Sequence, residues 1–298
     1  MKDFEGKTAV VTGAASGIGF GLAEKLAQEK MQVVLADVEE EALDKAVKQL
    51  RQYQHRVIGV KTDVLIKESV SELFARANEE YGNIHILCNN AGIGAGSGNK
   101  GIWEVEKENW DWTLGVNFYG VLYGLQAFLP HMIEHGEEGH VVTTASLAGL
   151  LSGAGPSGTY GVSKHAVLAL AESLNRDLVA INSKIGASVL CPGFVNTNIT
   201  DSERNRPQHL RVKDQPETDP QALEMFSLLL KQGKEPSEIA EIVFKAIKEK
   251  VFYILPHPAW DDNLRNHFEE ILSRKELTPP SVNDMADFFK PREDGEKY

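Results

Sequence analysis

The chain has 298 residues, of which 42% are hydrophobic, and it carries a formal net charge of −12 with a pI near 5.3. This length and apolar content are enough for one large α/β core, and nothing in the composition demands a second domain. The acidic balance argues against nucleic acid and against an anionic membrane as partners, because both require concentrated positive charge.

The apolar segments are short. None approaches the roughly 18 residues of a membrane span, and the first five residues lack the apolar stretch of a signal peptide, so we expect a cytoplasmic protein. Cys88 and Cys191 each end an apolar run without metal-ligand spacing, which predicts buried free thiols. The histidines form no His-Glu-x-x-His pattern, and we expect no metal site.

Apolar runs and helical patterns alternate along most of the chain. The runs are continuously apolar, which is typical of strands buried on both faces and indicates a parallel sheet covered by helices. We therefore predict an α/β fold of Rossmann type, with a doubly wound parallel sheet of about seven strands and helices on both faces. The strands are predicted near residues 8–11, 33–36, 57–60, 84–88, 141–145, 187–191 and 252–255, and the helices near 17–30, 39–53, 67–81, 107–134, 160–180 and 237–250.

The alternation stops at Gly193, and the chain is polar and irregular to about Pro236. Long insertions of this kind are commonly functional, and this one follows a strand's carboxyl end, where open parallel sheets bind ligands. Residues 193–235 are therefore predicted to form a substrate lid within a single domain of residues 1–255. Residues 256–298 are predicted to be a C-terminal extension that is partly helical, with a helix near residues 261–274 and a loosely ordered end.

A glycine-rich loop follows the first predicted strand and opens a helix, with the sequence Thr12-Gly13-Ala14-Ala15-Ser16-Gly17-Ile18-Gly19. Glycines let the backbone turn tightly and approach a pyrophosphate at the helix terminus. Because the spacing departs from Gly-x-Gly-x-x-Gly, the loop alone fits either a dinucleotide site or a plain tight turn. Asp37 ends the second predicted strand, where its carboxylate can accept hydrogen bonds from the adenosine ribose. The alternative for Asp37 is an N-cap role.

Tyr160 and Lys164 lie four residues apart, on one face of a predicted helix. Tyrosine titrates near pH ~10 when unperturbed, so an adjacent ammonium is expected to lower its pKa and make it a usable proton donor and acceptor. The pair alone occurs by chance in many helices.

Several motifs together resemble the short-chain dehydrogenase/reductase family, in the family's order and at nearly its spacings over about residues 5–255. They are Thr12-Gly13-x-x-x-Gly17-x-Gly19, Asn89-Asn90-Ala91-Gly92, Asn117, Ser146, Tyr160-x-x-x-Lys164 and Pro192-Gly193. Agreement of several independent motifs in register makes chance a poor explanation of Tyr160 and Lys164.

The resemblance implies a catalytic role for four residues. Tyr160 transfers the proton to or from the substrate oxygen, and Ser146 donates a hydrogen bond to the same oxygen. Lys164 lowers the pKa of Tyr160 and holds the nicotinamide ribose, while Asn117 anchors a water that links Lys164 to solvent. NAD supplies the hydride chemistry.

The resemblance also implies the cofactor site. Asp37 repels a 2′-phosphate, and Ser16 occupies a position where NADP-preferring relatives often carry a basic residue, so we expect NAD. Turn or cap roles are the alternative for Asp63 and Asn89. The expected cofactor-binding residues are Gly13, Ser16, Gly17, Ile18, Gly19, Asp37, Asp63, Val64, Asn89, Ala91, Gly92, Tyr160, Lys164, Pro192, Gly193, Val195 and Thr197.

One spacing departs from the family. Ser146 lies 14 residues before Tyr160, whereas the family has one residue fewer, and the extra residue is placed in the glycine-rich stretch 152–158. A loop can absorb it. Ser152 and Ser157 are alternative serines, but Ser146 alone fits the strand-end position.

A weaker similarity concerns the substrate. The start of the chain, Gly19-Phe20-Gly21 and the segment 252–258 are similar to a subgroup containing the Cα-dehydrogenases of lignin-derived aryl ethers, which implies a bulky, partly aromatic secondary alcohol. Core packing explains the candidate pocket residues equally well. Those residues are Ile93, Leu147, Leu151, Phe194, Met225 and Phe226.

Three functions compete. The leading one is an NAD-dependent oxidoreductase acting on a small-molecule secondary alcohol or ketone. A nucleotide-sensing or scaffolding protein would keep the fold and lose Tyr160, Lys164 or Ser146, and none is lost. A sugar-nucleotide epimerase or dehydratase would carry a different glycine spacing. The family resemblance further implies a homodimer or homotetramer, assembled through the helices near 107–134 and 160–180.

Overall fold

The structure is a computed structural model that describes residues 1, 3–53, 55–94, 100–151, 158–212 and 220–274, without the side chains of 220–223. Within this part, seven strands form one parallel sheet in the order β3-β2-β1-β4-β5-β6-β7. The predicted α/β class and strand number are therefore confirmed. The strands are β1 Thr8–Thr12, β2 Gln32–Asp37, β3 Val57–Lys61, β4 Ile84–Asn89, β5 Gly139–Thr144, β6 Ile185–Leu190 and β7 Tyr253–Ile254.

Helices cover both faces of the sheet. The α-helices are α1 Gly17–Gln28, α2 Glu40–Leu50, α3 Lys67–Tyr81, α4 Lys107–Leu114, α5 Gly120–Glu134, α6 Gly158–Ala180, α7 Pro220–Lys231, α8 Pro236–Glu249 and α9 Asp261–Ser273. A π-helix joins α4 to α5 over Gly115–Tyr119, and short 3₁₀ helices span Ile102–Glu104, Leu147–Gly149, Ile199–Asn205, Gln208–Leu210 and Pro258–Trp260.

Two apolar cores hold the layers together. Along β1, Ala9 and Val11 face one core and Val10 faces the other, as the period of two in a strand requires. The first core includes Leu22 from α1 and Val243 from α8; the second includes residues of α3 and α5. Burying one leucine or valine side chain contributes about 1.5–3 kcal/mol, so the continuously apolar strands stabilise both layers.

The strand order reverses between β1 and β4. β1 pairs with β2 on one side and with β4 on the other, so the chain leaves the sheet centre through β3 and returns on the opposite side. The loops after β1 and β4 consequently diverge at the carboxyl edge, which leaves a cleft where ligands bind in folds of this kind.

The helix predicted over residues 107–134 is interrupted by the π-helix. Gly115, its first residue, and Gly120, which follows it, both lie against the loop after β3. A methyl group on Gly120 would lie 3.0 Å from Val64 Cβ, and one on Gly115 would overlap Leu65 Cδ1. The sequence pattern could not show this interruption, because the apolar period continues through it. π-bulges often occur at functional sites.

The polar segment after β6 contains more regular structure than the sequence suggested. Its described part includes two 3₁₀ helices and α7, so the prediction of an irregular segment throughout is wrong. Helix α9 matches the helix predicted near residues 261–274. The loosely ordered end falls on residues 275–298, which lie outside the described part.

Two other sequence expectations concern the interior and the membrane. Cys88 and Cys191 are buried free thiols, as predicted, and burial raises the pKa of each to about 12. Among the described residues, no helix combines the length and apolar character needed to cross a membrane.

Candidate active site

The glycine loop closes tightly under the start of α1. Gly13 and Gly17 have φ of +65° and +55°, a region that L side chains rarely adopt. A methyl group on Gly13 would lie 2.8 Å from Ala91 Cα, and one on Gly19 would overlap Gly13 O. Ser16 precedes α1 without a side-chain capping bond, so the first amides of the helix face the cleft uncapped. This cradle fits a pyrophosphate, because a helix N-terminus attracts anions.

Asp37 links the glycine loop to the chain that enters α2. Its Oδ2 accepts a hydrogen bond from Ala15 N at 3.0 Å, and its Oδ1 accepts one from Glu39 N at 3.1 Å. The second bond is a turn contact with the residue two positions along the chain. The N-cap of α2 is Glu39, so the N-cap alternative for Asp37 is wrong. A carboxylate offers about four acceptor positions, so these two bonds leave room for ribose hydroxyls.

Asn90 joins the carboxyl ends of three strands. Thr12 Oγ1 accepts from Asn90 N at 3.0 Å and from Ala91 N at 3.1 Å, and Asn90 Nδ2 donates to Thr12 O at 3.1 Å. Thr144 Oγ1 donates to Asn90 Oδ1 at 3.1 Å. Asn90 belongs to the Asn89-Asn90-Ala91-Gly92 motif but received no predicted role. Its contacts make it the residue that fixes the floor of the cleft.

Asp63 and Asn89, for which turn or cap roles were the alternatives, differ in their contacts. Asp63 Oδ1 accepts from Leu65 N at 3.0 Å, which is the turn contact offered as its alternative. Asn89 is buried, and neither its amide nitrogen nor its amide oxygen has a partner among the described residues. It packs so closely on α5 that a methyl group on Gly124 would overlap its Oδ1. Val64 is also buried.

Ser146 and Tyr160 meet at the carboxyl end of β5. Their side chains are hydrogen-bonded to each other, and Ser146 Oγ also accepts from Ala148 N at 3.1 Å, which fixes the serine at the start of a 3₁₀ helix. The extra residue in the intervening loop therefore does not separate the pair. Ser152 and Ser157 lie outside the described residues.

Lys164 lies beneath Tyr160. Its Nζ is 5.7 Å from the centroid of the Tyr160 ring and donates to Thr144 O at 3.0 Å. Burial lowers the pKa of Lys164 to about 8. Burial also raises the pKa of Tyr160 above 10.0, although the Ser146 hydrogen bond opposes the rise. The expected lowering of the Tyr160 pKa is wrong for this structure, because removal of the phenol from water outweighs the hydrogen bond with Ser146, and Lys164 is not among the causes of the shift.

Asn117 is buried in the π-helix and ties the loop after β4 to α6. Its Oδ1 accepts from Ile93 N at 2.8 Å, and its Nδ2 donates to Ile93 O at 3.1 Å and to Ser163 Oγ at 3.0 Å. A methyl group on Gly92 would lie 3.3 Å from Asn117 Oδ1 and 3.4 Å from Lys164 Nζ. The predicted residues thus converge, while the water relay through Asn117 stays a prediction.

The loop after β6 closes the other side of the cleft. Leu147 N donates to Pro192 O at 3.0 Å, which joins this loop to the residue that follows Ser146. Thr197 lies over the glycine loop, since a methyl group on Gly17 would be 3.1 Å from its Cγ2. Val195 is buried and bridges to Lys234.

Residues 197–206, which we name the strap, cross from this loop toward β2. Glu39 Oε1 accepts from Arg204 Nη2 at 2.6 Å and from Asn205 Nδ2 at 2.8 Å. The guanidinium and the amide hold the pKa of Glu39 below its ordinary value. Ser202 Oγ also accepts from Gly94 N at 3.1 Å. The strap therefore bonds to the loops after β2 and β4, on both sides of the cleft.

Arg206 anchors the end of the strap. Its guanidinium lies 4.0 Å from the Trp112 ring centroid, and its Nη2 donates to Asn109 Oδ1 at 2.7 Å. Sequence reasoning missed Glu39, Arg204 and Arg206, because each is an ordinary surface-type residue until the fold brings its partner near.

Aromatic and apolar side chains cluster beside the loop after β6. The Phe194 ring lies 5.9 Å from that of Phe226 and 6.3 Å from that of Trp260. Among the other candidate pocket residues, Ile93 belongs to the second core and Met225 is 62% exposed. Leu147, Leu151 and Leu264 form a separate buried cluster, with Leu150 and Trp260 packed against it.

Comparisons with known proteins identify the family. The family model described as short chain dehydrogenase matches residues 7–208. The chain is 33% identical over 280 residues to a C alpha-dehydrogenase of Sphingobium sp. (strain NBRC 103272 / SYK-6), covering 91% of this chain and 87% of that protein. It is also 33% identical over 278 residues to a CLA biosynthesis dehydrogenase/reductase of Lactiplantibacillus plantarum, covering 92% and 96%.

A solved structure is similar over nearly the whole fold. It is a short chain dehydrogenase/reductase from Burkholderia phymatum in complex with NAD, with a TM-score of 0.90 and 43% identity over 95% of this chain and 100% of that one. The chain belongs to the short-chain dehydrogenase/reductase family, whose oxidoreductases use NAD or NADP.

Proposed function

We propose that this protein is an NAD-dependent oxidoreductase that interconverts a secondary alcohol and a ketone. The observation that carries the proposal is the hydrogen-bonded Ser146–Tyr160 pair above the buried Lys164, at the carboxyl edge of the sheet beside the pyrophosphate cradle. That arrangement brings a proton donor and a second hydrogen-bond donor to one point, as an alkoxide-like oxygen requires.

The residues divide the work of proton transfer. In ketone reduction, the Tyr160 phenol gives its proton to the carbonyl oxygen, and in alcohol oxidation the Tyr160 phenolate takes the hydroxyl proton. Ser146 holds the same oxygen by a hydrogen bond, stabilising negative charge as it develops. Because burial raises the pKa of Tyr160, the phenol is protonated near neutral pH and is ready as a donor. The cofactor, when bound, supplies or takes up the hydride.

The side chains present fit NAD. The glycine loop would hold the pyrophosphate and Asp37 the adenosine ribose, while Thr197 and Val195 border the nicotinamide end. Asp37 would repel a 2′-phosphate, and Ser16 offers it no positive charge. We expect NADH to bind more tightly than NADPH in a fluorescence titration, and tighter binding of NADPH would overturn this assignment.

We propose a bulky, hydrophobic or aromatic substrate. Phe194, Trp260 and the Leu147 cluster supply apolar area close to Ser146, and the similar Sphingobium protein is a C alpha-dehydrogenase. In this proposal residues 193–235 act as the lid over the substrate, and the chain from residue 256 onward completes the pocket beside the domain of residues 1–255.

We further propose a cytoplasmic homodimer or homotetramer. The two unpaired thiols fit a reducing compartment. Tyr119, Val162 and Val179 are 45%, 43% and 68% exposed near or on α5 and α6, and apolar residues on neighbouring helices favour association. Sedimentation as a monomer at micromolar concentration would remove the oligomer.

The reaction class is tested by NADH absorbance at 340 nm with purified protein, NAD and a panel of aliphatic, steroidal and aryl secondary alcohols. We expect turnover with the bulky or aryl members and little with short aliphatic alcohols. NADH binding without turnover of any alcohol or of the matching ketones would contradict the proposal and favour the nucleotide-sensing alternative.

A further inference from the structure

His257 enters the site from the far end of the chain. β7 pairs with β6 through Val189 with Tyr253 and Leu190 with Ile254, so the chain emerges from β7 beside the loop that leaves β6. Two prolines, Pro256 and Pro258, flank the histidine. Proline restricts both its own backbone and that of the residue before it, so the His257 side chain is presented from a stiff segment.

The imidazole ring bridges two consecutive residues of the loop after β6. Its Nδ1 accepts from Gly193 N at 3.0 Å, and its Nε2 lies 2.9 Å from Phe194 O. Since a carbonyl only accepts, Nε2 carries the proton and the neutral tautomer is fixed by these two bonds. Burial lowers the pKa of His257 to about 4, although the bond to Phe194 O opposes this shift. The ring therefore stays neutral at physiological pH.

A chain of contacts leads from this ring to Ser146. A methyl group on Gly193 would lie 3.2 Å from His257 Cγ, 3.1 Å from Leu147 Cδ1 and 3.3 Å from Trp260 Nε1. The loop backbone is thus enclosed between His257 and Leu147. Leu147 N also donates to Pro192 O at 3.0 Å, and Leu147 directly follows Ser146.

We propose that His257 is a positioning residue that holds loop 192–194 against the Ser146 end of β5, and so sets the wall of the cleft shared by substrate and nicotinamide. The expected effect of His257 on turnover rests on the proposed function, whereas its expected effect on loop 192–194 does not. Through this residue the C-terminal extension acts on the chemistry without touching the reacting atoms.

The test compares three variants. His257→Ala removes both bonds, His257→Gln keeps one acceptor and one donor, and His267→Ala is a matched control on α9. We expect His257→Ala to lower kcat/KM about 10- to 100-fold, mainly through kcat, since supporting contacts and small misplacements have effects of that size. We expect the logarithm of kcat/KM for His257→Gln to lie at least halfway between the values for His257→Ala and the wild type. His267→Ala should match the wild type.

Hydrogen exchange supplies a readout that needs no substrate. In the wild type, NADH binding is expected to slow amide exchange in a peptide covering residues 190–196. In His257→Ala the same peptide should exchange faster and lose the NADH-dependent slowing, whereas His257→Gln should retain it.

The outcomes separate the two proposals. If the wild-type protein oxidised no alcohol, the proposed function would be contradicted. The hydrogen-exchange data would still decide whether His257 holds the loop. Unchanged exchange in His257→Ala would overturn the positioning role. The positioning role would also be overturned if the activity of the variants fell only in proportion to their melting temperatures and His257→Gln were no more active than His257→Ala. His257 would then be a structural residue.

Discussion

The two halves of the sheet build their sides of the cleft in different ways. In the half from β1 to β3, the glycine loop and Asp37 lie within one stretch of 25 residues, from Gly13 to Asp37, and contact each other directly. In the half from β4 to β7, the side wall combines Ser146, Gly193 and His257, which lie far apart in the chain. The first half builds its side of the cleft from one local motif, whereas the second half builds its side from residues that the strand order brings together.

This difference predicts separable effects. Changes in the first half should alter cofactor affinity, and changes in the second should alter turnover at nearly constant affinity. The strap is the exception that joins them, since Arg204 and Asn205 bond to Glu39 beside β2 while the strap itself leaves β6.

Among changes that leave Tyr160 in place, the largest separable effect is expected from Ser146→Ala. Loss of one hydrogen bond to the developing oxyanion should lower kcat about 10²- to 10³-fold, while NADH affinity stays within about threefold. Steady-state kinetics and NADH titration measure the two quantities. Ser173→Ala, in an exposed part of α6, is the matched control. Retained turnover in Ser146→Ala would move the role to another residue.

Gly19→Ala, in contrast, is expected to change cofactor affinity. Its methyl group would overlap Gly13 O, and relieving such an overlap costs about 1–3 kcal/mol, so the cradle should deform and NADH affinity should fall at least about fivefold. Gly136→Ala is the control, because Gly136 has φ +67° and open space around it. It should lower the melting temperature without changing NADH affinity. Equal affinities for Gly19→Ala and the wild type would refute the cradle.

A smaller effect is expected from opening the strap with Glu39→Gln. The ion pair is about one third exposed on each side, so its contribution is at most about 1 kcal/mol, which is roughly fivefold in rate. NADH release in stopped flow should accelerate by that factor. Glu79→Gln, which breaks the surface pair with Arg76, should leave release unchanged. Unchanged or slower release in Glu39→Gln would contradict the idea that the strap retains the cofactor.

The smallest effect concerns pH. Burial lowers the folded-state pKa of Lys164 to about 8 from 10.5, so between pH 8 and 9 the unfolded chain binds more protons than the folded one at this residue. Its contribution to the free energy of unfolding therefore rises with pH across that window, by about 1 kcal/mol. Denaturant unfolding of the cofactor-free protein should show this rise relative to Lys164→Met. Parallel curves for the two proteins would contradict the lowered pKa.

The same contrast explains what could be predicted from the sequence. Apolar runs and glycine spacing are local signals, so the strands, the glycine loop and the Tyr160-x-x-x-Lys164 helix were predicted. The π-helix around Asn117 depends on the close approach of Gly115 and Gly120 to another loop, and no period reports such an approach. The segment 252–258 contributed to the weaker similarity, but no role was predicted for His257, because its hydrogen-bond partners lie 63 and 64 residues earlier.

The prediction of a lowered Tyr160 pKa was wrong for a related reason. The four-residue spacing placed Lys164 near Tyr160, but burial of each group depends on the whole packed site. Desolvation opposes charge on both residues, and it dominates the pKa of each.

The central claim is that Tyr160 performs proton transfer in a cleft that binds NAD independently of that step. The most direct measurement is Tyr160→Phe, with turnover and NADH affinity determined on the same preparation. We predict a loss of turnover of about 10²- to 10⁴-fold, with NADH affinity within about threefold of the wild type. Turnover that survives in Tyr160→Phe would contradict the account.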